Sequence, residues 1–130
     1  MSASTFNVQF AGSFTTPPYT GQPECPVPIN YTAQYTRKTV QRFEKTGSGT
    51  GAVDLSNLPT VGAKLIVVQV DPDSSSAALP IQVQINGSTD DIEISVGGFL
   101  AYGSPKPAVG ITEVTFSYVS DVALWVWAFG

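Results

Sequence analysis

Apolar and polar residues alternate with a period of two along most of this chain and helical spacing is scarce, a pattern that predicts strands throughout. Phe6, Val8 and Phe10 alternate with Asn7 and Gln9 as a first, half-buried strand. Tyr31, Ala33 and Tyr35 alternate with Thr32, Gln34 and Thr36 as a second. Its end is open, because Val40 and Phe43 in the basic segment beyond it are three apart and also fit one turn of helix. "KLIVVQV" is apolar on both faces, Leu65 and Val67 on one and Ile66, Val68 and Val70 on the other, which is the pattern of a central strand. Ile81, Val83 and Ile85 are expected to pair with Ile92, Ile94 and Val96 across a hairpin turned at Asn86-Gly87. Gln82, Gln84, Glu93 and Ser95 then face water or a partner.

The chain ends in "ALWVWAFG", where a strand sets Trp125, Trp127 and Phe129 on one side and Leu124, Val126 and Ala128 on the other. A two-residue turn at Ser120 and Asp121 is expected to place Phe116 opposite Trp125 and Val114 opposite Trp127. Either both faces of this pair are internal to one domain, or one enters the core and the other is a candidate subunit contact. Leu124, Val126, Trp125 and Trp127 are therefore the candidate oligomer-interface residues. Flat terminal strands left bare are prone to aggregate, so some form of cover is required.

The segments between these strands read differently. From Gly12 to Ile29 the chain carries Pro17, Pro18, Pro23, Pro26 and Pro28 with Tyr19 among them. Proline removes backbone donors and favours extended backbone, so this segment is expected to be an arm or long loop lying over a surface, outside any sheet. "TGSGTG", Thr46 to Gly51, reads as a flexible turn, and it lacks the lysine and hydroxyl residue of a phosphate loop. "GGF" at Gly97 to Phe99 breaks or bulges a strand. The expected fold is all-β: a single domain over residues 1–130, an antiparallel β-sandwich or jelly-roll-like unit, with residues 12–29 as its extended proline-rich arm.

Composition narrows the function. A chain of 130 residues builds a core without staples. The single cysteine, Cys25, cannot form an internal disulfide and suits a protein made in a reducing cytoplasm. "MSASTFNVQF" lacks a basic segment followed by an apolar one, so no secretion signal is expected, and no apolar run is long enough for a membrane helix. Charged residues are only 12% of the chain and the net charge is -4, which argues against nucleic acid as a partner. Four of the six basic residues, Arg37, Lys38, Arg42 and Lys45, fall in "RKTVQRFEK", either a solvated face or a patch for an acidic partner.

Candidate chemistry is thin. Histidine is absent, which removes the commonest general base and transition-metal ligand. Cys25 lies between Glu24 and Pro26 with no nearby cation to lower its pKa. The carboxylates Asp71 with Asp73, and Asp90 with Asp91 and Glu93, sit where turns are expected. "DPDSSS" opens like a calcium loop but lacks the glycine at the sixth position and has Gln82 where the bidentate glutamate belongs. No catalytic residue, cofactor or metal site is assigned, and the chain is expected not to be an enzyme. Tyr19, Tyr31, Tyr35 and Tyr102 fit core packing first, and are otherwise candidates for a carbohydrate platform.

From about Gly47 to Gly130 the order "GSGTGAVDLSNLP", "KLIVVQVDPDSS", "LPIQVQINGSTDDIEI", "GGFLAYGSP" and "ITEVTFSYVSDVALWVWAFG" resembles small virion structural proteins of tailed bacteriophages. That resemblance implies a compact β-sandwich or jelly roll built into the particle, as a capsid decoration (cement) protein or a tail component, made in the bacterial host cytoplasm. Its implied partners are itself, as a dimer or trimer, and major capsid or tail subunits. Pro17, Pro18, Tyr19, Pro23, Pro26 and Pro28 with Arg37, Lys38, Arg42 and Lys45 are the expected docking residues. The alternative is a receptor- or carbohydrate-binding module, for which a glycan is the partner.

Overall fold

The structure, a computed structural model, describes residues 4–10, 13–14, 25–26, 29–71, 80–103 and 110–130, with side chains from Gln34 onward. Among them there is no helix. The strands are β1 (Ser4–Phe10), β2 (Ser13–Phe14), β3 (Cys25–Pro26), β4 (Ile29–Tyr35), β5 (Lys38–Lys45), β6 (Gly49–Ala52), β7 (Leu65–Val70), β8 (Ile81–Ile85), β9 (Ile92–Ile94), β10 (Phe99–Gly103), β11 (Val114–Tyr118) and β12 (Val122–Phe129).

Two antiparallel four-stranded sheets form the body, one in the order β10-β7-β12-β5 and the other β6-β11-β8-β9. Within the body only β8 and β9 are neighbours both in sequence and in a sheet; every other step from β5 to β12 crosses between sheets. Eight strands connected in this way make a jelly roll, within the all-β expectation. β7 is central, as its two apolar faces require.

The last pair departs from the hairpin expectation. β12 lies between β7 and β5, whereas β11 lies between β6 and β8 in the other sheet, so Phe116 is not opposite Trp125 nor Val114 opposite Trp127. A tight two-residue hairpin needs positive-φ residues. Among the described non-glycine residues only Asn86 has one, so Ser120 and Asp121 serve instead as a corner between sheets. Asp121 Oδ1 accepts a 2.7 Å hydrogen bond from Gly47 N, which ties this corner to the β5–β6 crossover.

The core settles which face of β12 points inward. Leu124, Val126 and Ala128 join Ile66, Val68 and Val70 against Ile81, Val83, Ile94, Val114 and Phe116 of the opposite sheet, all buried. Each such aliphatic side chain contributes roughly 1.5–3 kcal/mol. Phe43 meets Phe116 edge-on at 5.0 Å, so β5 places Phe43 inward and Val40 outward, and the helical alternative is excluded. The glycine run is likewise more than a turn. Gly49–Ala52 pairs with β11 as the edge strand β6, and a Cβ at Gly51 would collide with the Phe116 ring that lies across it.

Asn86 (φ 53°) and Gly87 (φ 68°) form the expected turn, closed by Ser88 N donating to Ile85 O at 3.1 Å. The connection then runs on to β9 with Ile81 opposite Ile94 and Val83 opposite Ile92, and Val96 falls beyond the ladder. Asn86 also anchors the chain before β11: its Oδ1 accepts from Thr112 N and Glu113 N, and its Nδ2 donates to Gly110 O.

β1 and β4 pair from Ser4↔Tyr35 to Phe10↔Ile29, and the same register continues in Ser13↔Pro26 and Phe14↔Cys25 of β2 and β3. Against expectation, these parts of residues 12–29 enter a ladder. Pro17, Pro18, Tyr19, Pro23 and Pro28 lie outside the described residues. The base of this ribbon is fastened to the jelly roll, where Thr36 N and Arg37 N both donate to Gly130 O at 2.9 Å. Lys64 Nζ donates to Gln34 O at 2.6 Å, and Tyr35 packs edge-on against Phe129.

Candidate functional site

Because partners across a ladder share a face, the registers define what the outer side of β10-β7-β12-β5 presents. One row across it is Phe99, Gln69, Trp125 and Arg42. The next is Ala101, Val67, Trp127 and Val40, and the third is Gly103, Leu65, Phe129 and Lys38. In the first two rows Phe99 is 59% exposed, Val40 48% and Trp125 40%. Leu65, in the third row and outside the core cluster, is only 2% exposed. This row is the one met by the base of the ribbon.

Trp125 and Trp127 stack with centroids 6.0 Å apart and planes 20° from parallel. Two residues apart on one strand, they project from the same face. Arg42 lies over Trp125 at 5.1 Å from the ring centroid and bonds Asp71 Oδ2 through Nη2 at 2.9 Å. Glu44 approaches Arg42 Nε at 3.6 Å. The guanidinium is thus held over the indole by carboxylates and carries little uncompensated charge.

The candidate interface residues separate accordingly. Leu124 and Val126 are 0% and 1% exposed core residues and are not available for a subunit contact. Trp125 and Trp127 lie on the outer face. The basic residues do not share one face. Lys38 and Arg42 point outward, Lys45 Nζ lies 5.9 Å from the centroid of the inward-facing Phe43 ring, and Arg37 precedes β5 and donates to Asn57 O at 3.4 Å. Their spacing along a strand scatters them, since only residues of equal parity project together.

The opposite outer face, on β6-β11-β8-β9, is polar. Thr50, Ser117, Gln82 and Glu93 form one row, and Ala52, Thr115 and Gln84 the next. Ser117 Oγ donates to Gln82 Oε1 at 3.3 Å, and Gln84 Nε2 donates to Asp91 Oδ1 at 2.8 Å.

The remaining carboxylates are dispersed. Asp71 is engaged by Arg42, Asp91 by Gln84, and Asp73 lies outside the described residues. Among the described residues no group of three His, Cys, Asp or Glu side chains is placed to hold a metal ion. Hydrogen bonds from the Ser56 side chain and backbone hold the Asp54 carboxyl below its usual pKa. Asp54 belongs to a loop that covers the free edge of β5: Gln41 Nε2 donates to Asp54 O at 2.7 Å and Gln41 Oε1 accepts from Asp54 N at 3.0 Å. Such cover blunts an edge strand.

Of the candidate tyrosines, Tyr35 packs on Phe129, and Tyr19 and the Tyr31 side chain lie outside the description. Tyr102, 44% exposed, borders a crevice with Ser88, Asp90, Ile85 and Ile92. Phe99, Val67 and Val40 are members of the outer face that sequence reasoning missed. The only signal was that "KLIVVQV" is apolar on both sides, one more than a core requires. No protein-family model, no curated protein and no solved structure matches this chain.

Proposed function

We propose that this chain is a non-enzymatic structural protein of a bacteriophage virion, a capsid decoration protein that binds and stabilises the assembled shell through protein–protein contacts. The observation that carries this reading is the open aromatic face, with Phe99, Trp125 and Val40 exposed on a jelly roll whose other outer face is polar. Contiguous apolar surface of this kind marks an interaction site. The sequence resemblance over Gly47 to Gly130 supplies the virion setting, and jelly rolls recur in capsid and lectin domains, although fold by itself does not decide function.

In this reading copies associate through the outer face as a dimer or trimer. The proline-rich residues 12–29 and the cations Arg37 and Lys38 then dock on neighbouring capsid subunits. A subunit that binds only the assembled shell stabilises it by mass action, by about 2.7 kcal/mol per site at a free concentration of 100 times Kd. Co-sedimentation with intact and empty particles tests this: saturable binding at fixed stoichiometry is expected, and a protein that ignores particles overturns it.

A second reading, a tail component or receptor module that binds carbohydrate, is favoured by the Tyr102 crevice, where an exposed ring and the Asp90 carboxylate stand over Ile85 and Ile92. Aromatic faces with a few polar groups are the usual make-up of small-ligand sites. Glycan-array binding lost on Tyr102→Ala, with no particle binding, would select it.

A further inference from the structure

Asn86 and Gly87 are joined to the rest of the fold more firmly than a turn alone requires. The turn is closed by Ser88 N donating to Ile85 O, and positive φ at both residues (53° and 68°) makes it type I′. Asn86 is also bonded to the segment that leads into β11. Its backbone N donates to Glu113 O at 2.8 Å and its Nδ2 to Gly110 O at 3.1 Å. Its Oδ1 accepts from Thr112 N at 2.8 Å, Glu113 N at 3.2 Å and Thr112 Oγ1 at 3.3 Å. One side chain thus does the work of a short ladder, beside the bridge that joins Ile111 to Ala63.

The same two residues are open to a reaction of the chain with itself. Glycine leaves its backbone nitrogen unshielded by a side chain, and Gly87 is exposed. Hydroxide from solvent takes the Gly87 N–H proton and the nitrogen attacks Asn86 Cγ. The Cγ–Nδ2 bond breaks, Nδ2 leaves as ammonia with a proton from water, and a cyclic imide remains. Water then opens the imide at Cγ to give aspartate, or at the main-chain carbonyl to give isoaspartate. The native turn opposes the first step. The flat ring needs Cβ and Gly87 N on the same side of the Cα–C bond, whereas a type I′ turn, with ψ about +30° at Asn86, holds them nearly opposite. The bonds to residues 110–113 keep both the side chain and the backbone nitrogen of Asn86 in that arrangement.

We propose that Asn86 is a self-modification site, converted to aspartate or isoaspartate through attack by Gly87 N, and that the 110–113 segment is the gate that keeps it unreacted. The reaction proceeds when that segment opens, and the product stops it from closing as before. Aspartate sets a carboxylate oxygen against Gly110 O, where Nδ2 had donated. Isoaspartate adds a carbon to the main chain of the turn and draws Oδ1 into it, away from Thr112 and Glu113. Either product also adds a carboxylate near Asp90 in the crevice bordered by Tyr102. The inference is independent of the virion setting and of the aromatic face.

Peptide mass mapping of the full chain held at mildly alkaline pH tests this, with folded wild type, wild type in denaturant and folded Thr112→Pro compared over time. Conversion at Asn86 is expected to be at least about tenfold slower in the folded than in the denatured chain, because it waits on local opening. Thr112→Pro deletes both Thr112 donors, and Ile111 already sits in a β-bridge, the extended state that a residue before proline needs. Its conversion is expected to be faster than that of folded wild type by about twofold to tenfold for each bond lost. If its circular dichroism spectrum departs from wild type, Thr112→Ala, which deletes Oγ1 alone, takes its place with an acceleration at the low end of that range. In aged protein that carries isoaspartate, hydrogen exchange over residues 110–113 is expected to be faster than in fresh protein. Equal conversion in folded and denatured chains, no conversion in either, a gate variant no faster than wild type, or unchanged exchange in the aged protein overturns the proposal.

Discussion

The two outer faces of this jelly roll have the same strand geometry and opposite chemistry. On β6-β11-β8-β9 the outward positions are Thr50, Ser117, Gln82, Thr115 and Gln84, with Ser117 bonded to Gln82 and Gln84 to Asp91, so the face is polar as it stands. On β10-β7-β12-β5, Phe99, Val67, Trp125, Trp127 and Val40 occupy the equivalent positions. The inner faces of the two sheets already complete a core without them. In the proposed reading, apolar residues that the core does not need, held side by side on a rigid sheet, serve contact with a partner.

Adjacent residues of β12 give the widest separation between core and contact roles. Leu124→Ala removes a 0% exposed core side chain and is expected to cost about 2–5 kcal/mol in denaturant unfolding. Gly51→Val presses new atoms into the Phe116 ring and should cost about 1–3 kcal/mol by the same measurement. Trp125→Lys, one residue from Leu124, loses the Arg42 contact and the stack on Trp127. It should cost about 1–2 kcal/mol while abolishing self-association in light scattering. The matching change on the polar face, Thr115→Lys, should alter neither quantity appreciably. Equal effects of the two lysine substitutions on association would erase the distinction between the faces.

Smaller effects sharpen the same picture. Asp71→Asn weakens the bond that holds Arg42 over Trp125. Both partners are part-exposed, so the stability change should stay within about 1 kcal/mol and shrink with added salt, followed by thermal melting. The Asp54 carboxyl has its pKa lowered by the Ser56 hydrogen bonds, so its stabilising contribution is present above the unfolded value near 3.8 and is lost as pH falls through the folded value. Ser56→Ala should remove the side-chain part of that slight acid dependence, seen as melting curves that differ from wild type above about pH 4 and converge with it as pH falls further.

Much of the fold is legible in the alternation itself. "KLIVVQV", "IQVQI" and the Asn86-Gly87 turn each encode their structure within a few residues. What alternation does not encode is which strands pair, because β12 finds β5 and β7 at long separation in the chain. The adjacent strands β11 and β12 therefore suggest a hairpin, and the jelly roll instead sends them to opposite sheets. A strand apolar on both sides also leaves its orientation open: Leu124 and Trp125 were equal claimants for the core until β11 was placed across from β12. The strand role of Gly49–Ala52 depends on the Phe116 and Tyr118 rings that cross it, a relation that exists only once register is set. The site is hidden for the same reason, since Val40, Val67, Phe99 and Trp127 are far apart in sequence and are joined only by the rows of the sheet.

The central claim is that the Trp125 face is covered in the functional state. Trp125 and Trp127 are the only tryptophans in the chain, so acrylamide quenching of indole emission across a dilution series reports on that face directly. Weak quenching in concentrated solution that strengthens as copies separate is the expected result. Strong quenching independent of concentration, with or without added phage particles, would contradict the account.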